Sequence, residues 1–104
     1  MSPVTVLAPI KLADGKSEAD LLAASKLFQQ DFVAHEAGVL RRELVRKPDG
    51  TYLDIIQFRS HDDYLDVVKK EMESSVCATF FSVMNLSNFD PEVEMEVNVS
   101  LETH

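Results

Sequence analysis

Residues 38–61 read GVLRRELVRKPDGTYLDIIQFRSH. Two strand-like runs flank Pro48-Asp49-Gly50, a set of residues that bends the chain by fixing one φ and freeing another, so the stretch is a β-hairpin. In its first arm apolar and charged residues alternate, Leu40, Arg42, Leu44 and Arg46 against Val39, Arg41, Glu43 and Val45. Neither set is wholly apolar, which predicts an edge strand protected by charge, its arginines mainly solvated. The second arm, Thr51 to Arg59, puts Tyr52, Ile56 and Phe58 on one side and Leu53 and Ile55 on the other. Apolar residues on both faces predict a central strand lying beside the first.

Upstream of the hairpin the spacing predicts a helix over residues 18–36. Ser17 and Asp20 form a capping box, and Leu21, Ala24, Phe28 and Phe32 make an apolar stripe at intervals of three and four. Gly38 is expected to stop this helix in a left-handed conformation. His35 lies at the end of the stripe, where the helix dipole favours a positive charge. Before the helix, residues 4–12 (VTVLAPIKL) are apolar on both alternating sets, a second central strand, with an irregularity in pairing expected at Pro9.

Downstream, Ser60 and Asp63 cap a second helix whose expected buried face is Tyr64, Leu65, Val68 and Met72. A further helical piece follows with Val76, Cys77, Phe80, Phe81 and Met84, ending near Asn85. Cys77 reads as a small buried hydrophobe, since no electropositive neighbourhood would activate its thiol. The last strand is expected over residues 92–101, with Val93, Met95, Val97, Val99 and Leu101 inward and Glu92, Glu94, Glu96, Asn98 and Ser100 outward.

The order is therefore βαββαβ. Two strands buried on both faces take the centre and two alternating strands the edges, giving an α+β, ferredoxin-like unit over residues 1–104 with a four-stranded antiparallel sheet in the order 4-1-3-2. Both helices then cover one face. The other carries Leu7, Leu53 and Ile55, a patch whose exposure predicts a homodimer with two sheets face to face, a dimeric α/β barrel.

At 104 residues, with 45% hydrophobic and 27% charged residues, the chain makes one domain that buries roughly two-thirds of its unfolded surface. A net charge of −8 argues against nucleic acid, whose phosphates demand a dense positive surface. No apolar run of bilayer length and no basic-then-apolar leader occur, so neither a membrane partner nor export is expected and a cytoplasmic location is the default. One cysteine and three scattered histidines (His35, His61, His104) supply no metal-ligand spacing. Five of the ten Lys and Arg fall in the hairpin and the tail is acidic, either as two solvated faces or as surfaces that meet across a dimer.

The chain resembles the antibiotic-biosynthesis-monooxygenase type of dimeric α/β-barrel protein. The resemblance runs through Asp14-Gly15-Lys16, the segment His35-Glu36-Ala37-Gly38-Val39-Leu40-Arg41, the turn Pro48-Asp49-Gly50, and Gln57-Phe58-Arg59-Ser60. It implies a dimer and a pocket between the helices and the sheet. It also implies, for the enzymes of the family, oxidation of quinol-like or polyketide aromatics without metal or flavin, so no cofactor is expected. The haem-degrading branch carries an Asn on strand one, a Trp at the end of strand three and a His on helix two, and the first two positions correspond to Ala8 and Phe58. The Glu, Trp and His of the quinol-type pattern correspond to Ile56, Phe58 and Val67. These apolar replacements argue against haem degradation and shift the expectation from oxygenase towards ligand binder.

The expected lining comprises Ala8, Ile10, Phe28, Phe32, Tyr52, Ile56, Phe58, Tyr64, Val68, Phe80, Phe81 and Met84, which could equally be plain core. Two candidate catalytic groups stand out. Asp54 falls on the helix-facing set, where a desolvated carboxylate needs a partner, Arg42 being the obvious one, or becomes a usable base. His61 opens the second helix, where the dipole disfavours its charged form; it is either a neutral base or an exposed first-turn residue. The expected function is a dimeric binder of an apolar small molecule, fatty-acyl or aromatic. The alternatives are a cofactor-independent monooxygenase and a structural or regulatory dimer without a ligand.

Overall fold

The structure is a computed structural model and describes residues 2–104. Strand β1 (Val4–Ile10) leads into helix α1 (Glu18–Asp31) and a 3-10 turn (Val33–His35), then the hairpin β2 (Val39–Arg46) and β3 (Tyr52–Phe58). Helices α2 (His61–Glu73) and α3 (Ser75–Phe81) follow, then a single helical turn α4 (Pro91–Glu94) and β4 (Glu96–Val99). The sheet order is β2-β3-β1-β4 with every pair antiparallel, the 4-1-3-2 order read from the other edge. The two strands that are apolar on both sides occupy the centre, as two-sided burial requires.

The hairpin closes on local chemistry. The Gly50 amide donates to the Lys47 carbonyl at 3.0 Å, Gly50 takes φ +86°, and the Asp49 carboxylate accepts the Thr51 amide at 2.9 Å. The capping box of α1 is complete, with the Ser17 hydroxyl accepting the Asp20 amide and Asp20 accepting the Ser17 amide. Ser60 caps α2 in the same way through the Asp63 amide.

Pro9 causes no break: it pairs with Leu53 in unshifted register. The Ser100 amide donates to the Pro3 carbonyl, so the odd-numbered residues of β1 turn their backbone groups towards β4. Because β4 ends opposite Leu7, no partner awaits an amide at residue 9 and proline costs the ladder nothing. The register shift in the sheet falls instead between Val39 and Arg41 of β2.

Three further expectations are corrected. Gly38 is not left-handed and does not stop α1, which breaks at Phe32. Glycine is needed there because a Cβ would sit 2.8 Å from the Asp63 Cβ, while the Gly38 carbonyl accepts the Arg59 amide. The last strand is only four residues long, since Pro91 after the capping residue Asp90 starts a helical turn over what was read as strand. In α2 the inward residues are Tyr64, Val67, Val68 and Glu71, whereas Leu65 and Met72 are exposed.

The core forms two apolar clusters under the helices. One joins Ile10, Leu21, Phe28, Cys77 and Phe80; the other joins Val4, Val6, Phe58 and Val67; Phe32 and Val39 touch both. No helix among the described residues is long and apolar enough to cross a membrane.

Candidate functional site

Register fixes what faces the helices. Val4, Val6, Ala8 and Ile10 of β1 stand opposite Phe58, Ile56, Asp54 and Tyr52 of β3, and Arg42 of β2 stands opposite Ile56. Charged residues therefore enter the interior between the two apolar clusters. Arg42, on a strand whose arginines were expected to be mainly solvated, is 7% exposed in its side chain and pairs with Asp54, which is 4% exposed.

Each group is held by specific contacts. Arg42 Nε donates to Asp54 Oδ2 at 3.0 Å and Nη2 donates to the Ser25 hydroxyl at 2.8 Å. The guanidinium lies 5.0 Å from the Phe28 ring centroid and 5.3 Å from that of Phe80, two aromatic faces that suit a weakly hydrated planar cation. Asp54 Oδ1 is buried and has no hydrogen-bond partner among the described residues. Burial pushes the Asp54 carboxyl up, against the opposing pull of Arg42.

A second carboxylate lies within electrostatic reach of this pair. Glu71 follows Tyr64 by seven residues and Val67 by four, which places it on the inner face of α2. Desolvation, and then repulsion by Asp54 outweighing attraction by Arg42, pushes its pKa up to about 7. Burial likewise raises Tyr64 and Cys77, both of which feel the charge of Glu71. The interior thus holds the Arg42–Asp54 pair with one carboxylate oxygen unpartnered among the described residues, and the half-buried Glu71 carboxyl feels both charges.

The helical layer is not closed over this point. Ala8 and Ile56 lie on central strands and face the helices, yet both are half-buried, as are Tyr64, Val68 and Glu71 of α2 and Met95 beyond it. Ile56 is paired on both sides, so its exposure belongs to its side chain, whereas Ala8 lies just past the end of β4 and is open on that edge of the sheet. Ala8 contributes only a methyl group opposite Asp54.

The expected lining residues divide accordingly. Ala8, Ile56, Tyr64 and Val68 are half-buried and reached by solvent, and Phe58 packs against Tyr64 with ring centroids 5.3 Å apart. Ile10, Phe28, Tyr52 and Phe80 are buried core, with Phe32, Phe81 and Met84 packed against them. Tyr52 also donates its hydroxyl to Glu18 at 3.1 Å, and Met84 bridges to Leu12. The two candidate catalytic groups do not converge. His61 is exposed at the start of α2, in a surface groove of about 460 Å³ shared with Ser2, Val4, Ser60, Asp62, Val97 and Val99, at the opposite end of β3 from the Asp54 rank.

The Arg42 pairing was readable from the sequence, but Glu71 was missed. A carboxylate at i+3 from Val68 and i+4 from Val67 was the available signal, hidden because Leu65 and Met72 offered a competing stripe one position away.

No family model matches the sequence, and no curated protein matches it. Solved structures do. SnoaB from Streptomyces nogalater, a cofactor-independent oxygenase, superposes with a TM-score of 0.71 at 15% identity, over 99% of this chain and 97% of that one. A candidate antibiotic biosynthesis monooxygenase from Caulobacter crescentus CB15 gives 0.71 at 18% identity, over 97% and 92%. One from Bordetella bronchiseptica gives 0.71 at 14% identity over the whole of both chains. The chain has the ferredoxin-like fold of these proteins from end to end.

Proposed function

We propose that the chain is a small-molecule-binding protein built on the antibiotic-biosynthesis-monooxygenase fold, working as a homodimer. Its ligand has an apolar body that lies in a cleft over Ala8 and Ile56, and a polar end that reaches towards Asp54. The observation that carries this reading is the part-exposure of two inward-facing residues of central strands, beside a buried carboxylate oxygen without a donor. Protein stripped of bound small molecules is expected to take up 1-naphthylmethanol saturably, followed by the probe's fluorescence. Ala8→Leu should fill the cleft and weaken uptake about tenfold, the cost of roughly 1.4 kcal/mol of lost contact. Non-saturable uptake, or an unchanged affinity in the variant, would remove the cleft as the site.

The dimer rests on the other face of the sheet. Leu7 stands opposite Ile55 and Pro9 opposite Leu53, with Val45 beside Leu53, and all five are half-buried. Gln57 on this face is covered by the chain's own end, donating to Ser100 and Thr103, but the apolar patch is not. Pairing two such faces would bury at least about 1,000 Å² in total, the scale of a specific interface. Light scattering at micromolar concentration is expected to give twice the chain mass; a monomer would sink this part of the reading.

One observation favours a second reading, cofactor-independent oxygenation. A carboxylate whose pKa is about 7 is matched to proton abstraction near neutral pH, and Glu71 provides one beside the cleft. His61, on the surface and away from Asp54, has no part in either reading.

A further inference from the structure

Beyond β4 the chain turns across the face of the sheet that the helices leave open. The Ser100 amide donates to the Pro3 carbonyl, and the Ser100 hydroxyl lies 2.7 Å from that of Thr5 on β1. Gln57 Nε2 of β3 donates to the Ser100 and Thr103 hydroxyls, at 3.2 and 3.0 Å. Thr5 and Gln57 stand opposite each other on that open face. Residues 100–103 therefore form a strap from the β4 edge to β3, and it leaves Gln57 only 8% exposed. Leu101, between the two anchoring residues, is 91% exposed and projects off its own fold.

The strap gives the face a raised end and a low end. The rank of Thr5 and Gln57 lies under the strap; the next, Leu7 with Ile55, is apolar; the one after, Pro9 with Leu53 and Val45 beside it, is apolar and half-buried. Two sheets packed face to face lie about 10 Å apart, the depth of their interdigitated side chains. Strap over strap would hold them farther apart. A two-fold axis running across the strands at the rank of Leu7 and Ile55 exchanges the ends, so that each raised end falls on the low end of the other copy. A two-fold contact requires one surface to supply both a projection and the recess that receives it, and this face supplies both.

We propose that a second copy of the chain closes the face in this register, with residues 100–103 as a reciprocal clasp and Leu101 of each copy seated on Pro9 and Leu53 of the other. The charges suit it. The clasp carries the exposed Glu102 towards the hairpin end of the other copy, where Lys47 continues the alternating set of Val45 and is held by Asp49 at no better than 3.9 Å. Strap over strap would instead bring the two acidic segments together. The acidic tail and the basic hairpin of the sequence thus meet across the axis.

This inference rests on the homodimer of the proposed function, and its test separates the two. Sedimentation equilibrium compares the unaltered chain with Leu101→Asp, a change at an exposed position whose fold is checked by circular dichroism. Burying one leucine is worth at least about tenfold in an equilibrium, and the axis makes the contact twice, so the variant should dissociate about a hundredfold more readily. Oxidation reads the register. The double variant Leu101→Cys with Leu53→Cys should give a disulfide-linked dimer on a non-reducing gel much faster than either single variant, because the clasp brings those two positions of different copies together. A dissociation constant unchanged in Leu101→Asp, or linking by Leu101→Cys alone as fast as by the pair, overturns the clasp and leaves the dimer. A monomer in the unaltered chain at micromolar concentration overturns both.

Discussion

Arg42→Ala is expected to destabilise the folded chain by about 3–5 kcal/mol at neutral pH, the cost of stranding a buried charge by removing its partner. Two effects add. Asp54 loses the one side-chain hydrogen-bond partner it has among the described residues, and Glu71 loses the attraction of Arg42 that moderates its repulsion by Asp54. Phe28 and Phe80 also lose the guanidinium packed against their rings. Small domains are stable by only about 5–15 kcal/mol in all, so this one change should bring the chain close to unfolding. The measurement is urea denaturation at fixed protein concentration, so that any dimerisation does not shift the midpoint between variants. A double change, Arg42→Met with Asp54→Leu, should recover most of the loss, because it removes both charges and keeps the volume apolar. A loss under about 1 kcal/mol in Arg42→Ala would mean that water reaches the pair and that the interior is not as closed as the burial of Asp54 implies.

The chain should be more stable at pH 5 than at pH 8, by about 2.5 kcal/mol if Glu71 alone is responsible. The folded state raises the Glu71 carboxyl from 4.5 to about 7, so it holds its proton more tightly when folded. The stability this contributes is fully present below 4.5 and is lost as the pH rises through about 7. Asp54, also raised by burial, acts in the same direction. At the acid end the sign reverses: Asp20, Asp49 and Asp63 are held below their ordinary values by hydrogen bonds, so their contributions fade as they protonate. The maximum should therefore fall near pH 5, on the acid side of most globular proteins. Urea midpoints measured across this range in the protein and in Glu71→Gln provide the check. The variant should lose most of this dependence between pH 5 and 8; a midpoint in the unaltered chain that is equal at those two values, or rises, would refute the assignment.

The sequence by itself determined the topology. Strands apolar on both alternating sets had to be central and strands carrying charge on alternate positions had to be edges, because the two faces of a strand are separated by a period of exactly two residues and one residue's burial predicts the next but one. That rule placed β1, β2 and β3, and hence the sheet order, before any contact was known. The caps at Ser17 and Ser60 and the turn at Asp49-Gly50 were equally legible, since each is satisfied by atoms within a few residues. The Arg42–Asp54 bridge was legible for a related reason: a carboxylate on the inner face of a central strand needs a cation on the adjacent one.

Only the tertiary structure decided the phase of α2 and the extent of β4. With Leu65, Val67, Val68 and Met72 all apolar, a helix can be turned through about 100°, the rotation per residue, and still bury a stripe. Packing against Phe58 and Val6 chose the Val67 side. That choice turned Met72 outward and Glu71 inward, which made a site with two carboxyl groups from a stretch that the sequence reads as plain core. In the last strand the alternation continues through residues that are helical, because Asp90 and Pro91 satisfy and constrain the local backbone more strongly than a solvent-exposed edge pairing could. Periodicity reports that a face exists; which face is buried, and what meets it there, depends on neighbours remote in the chain.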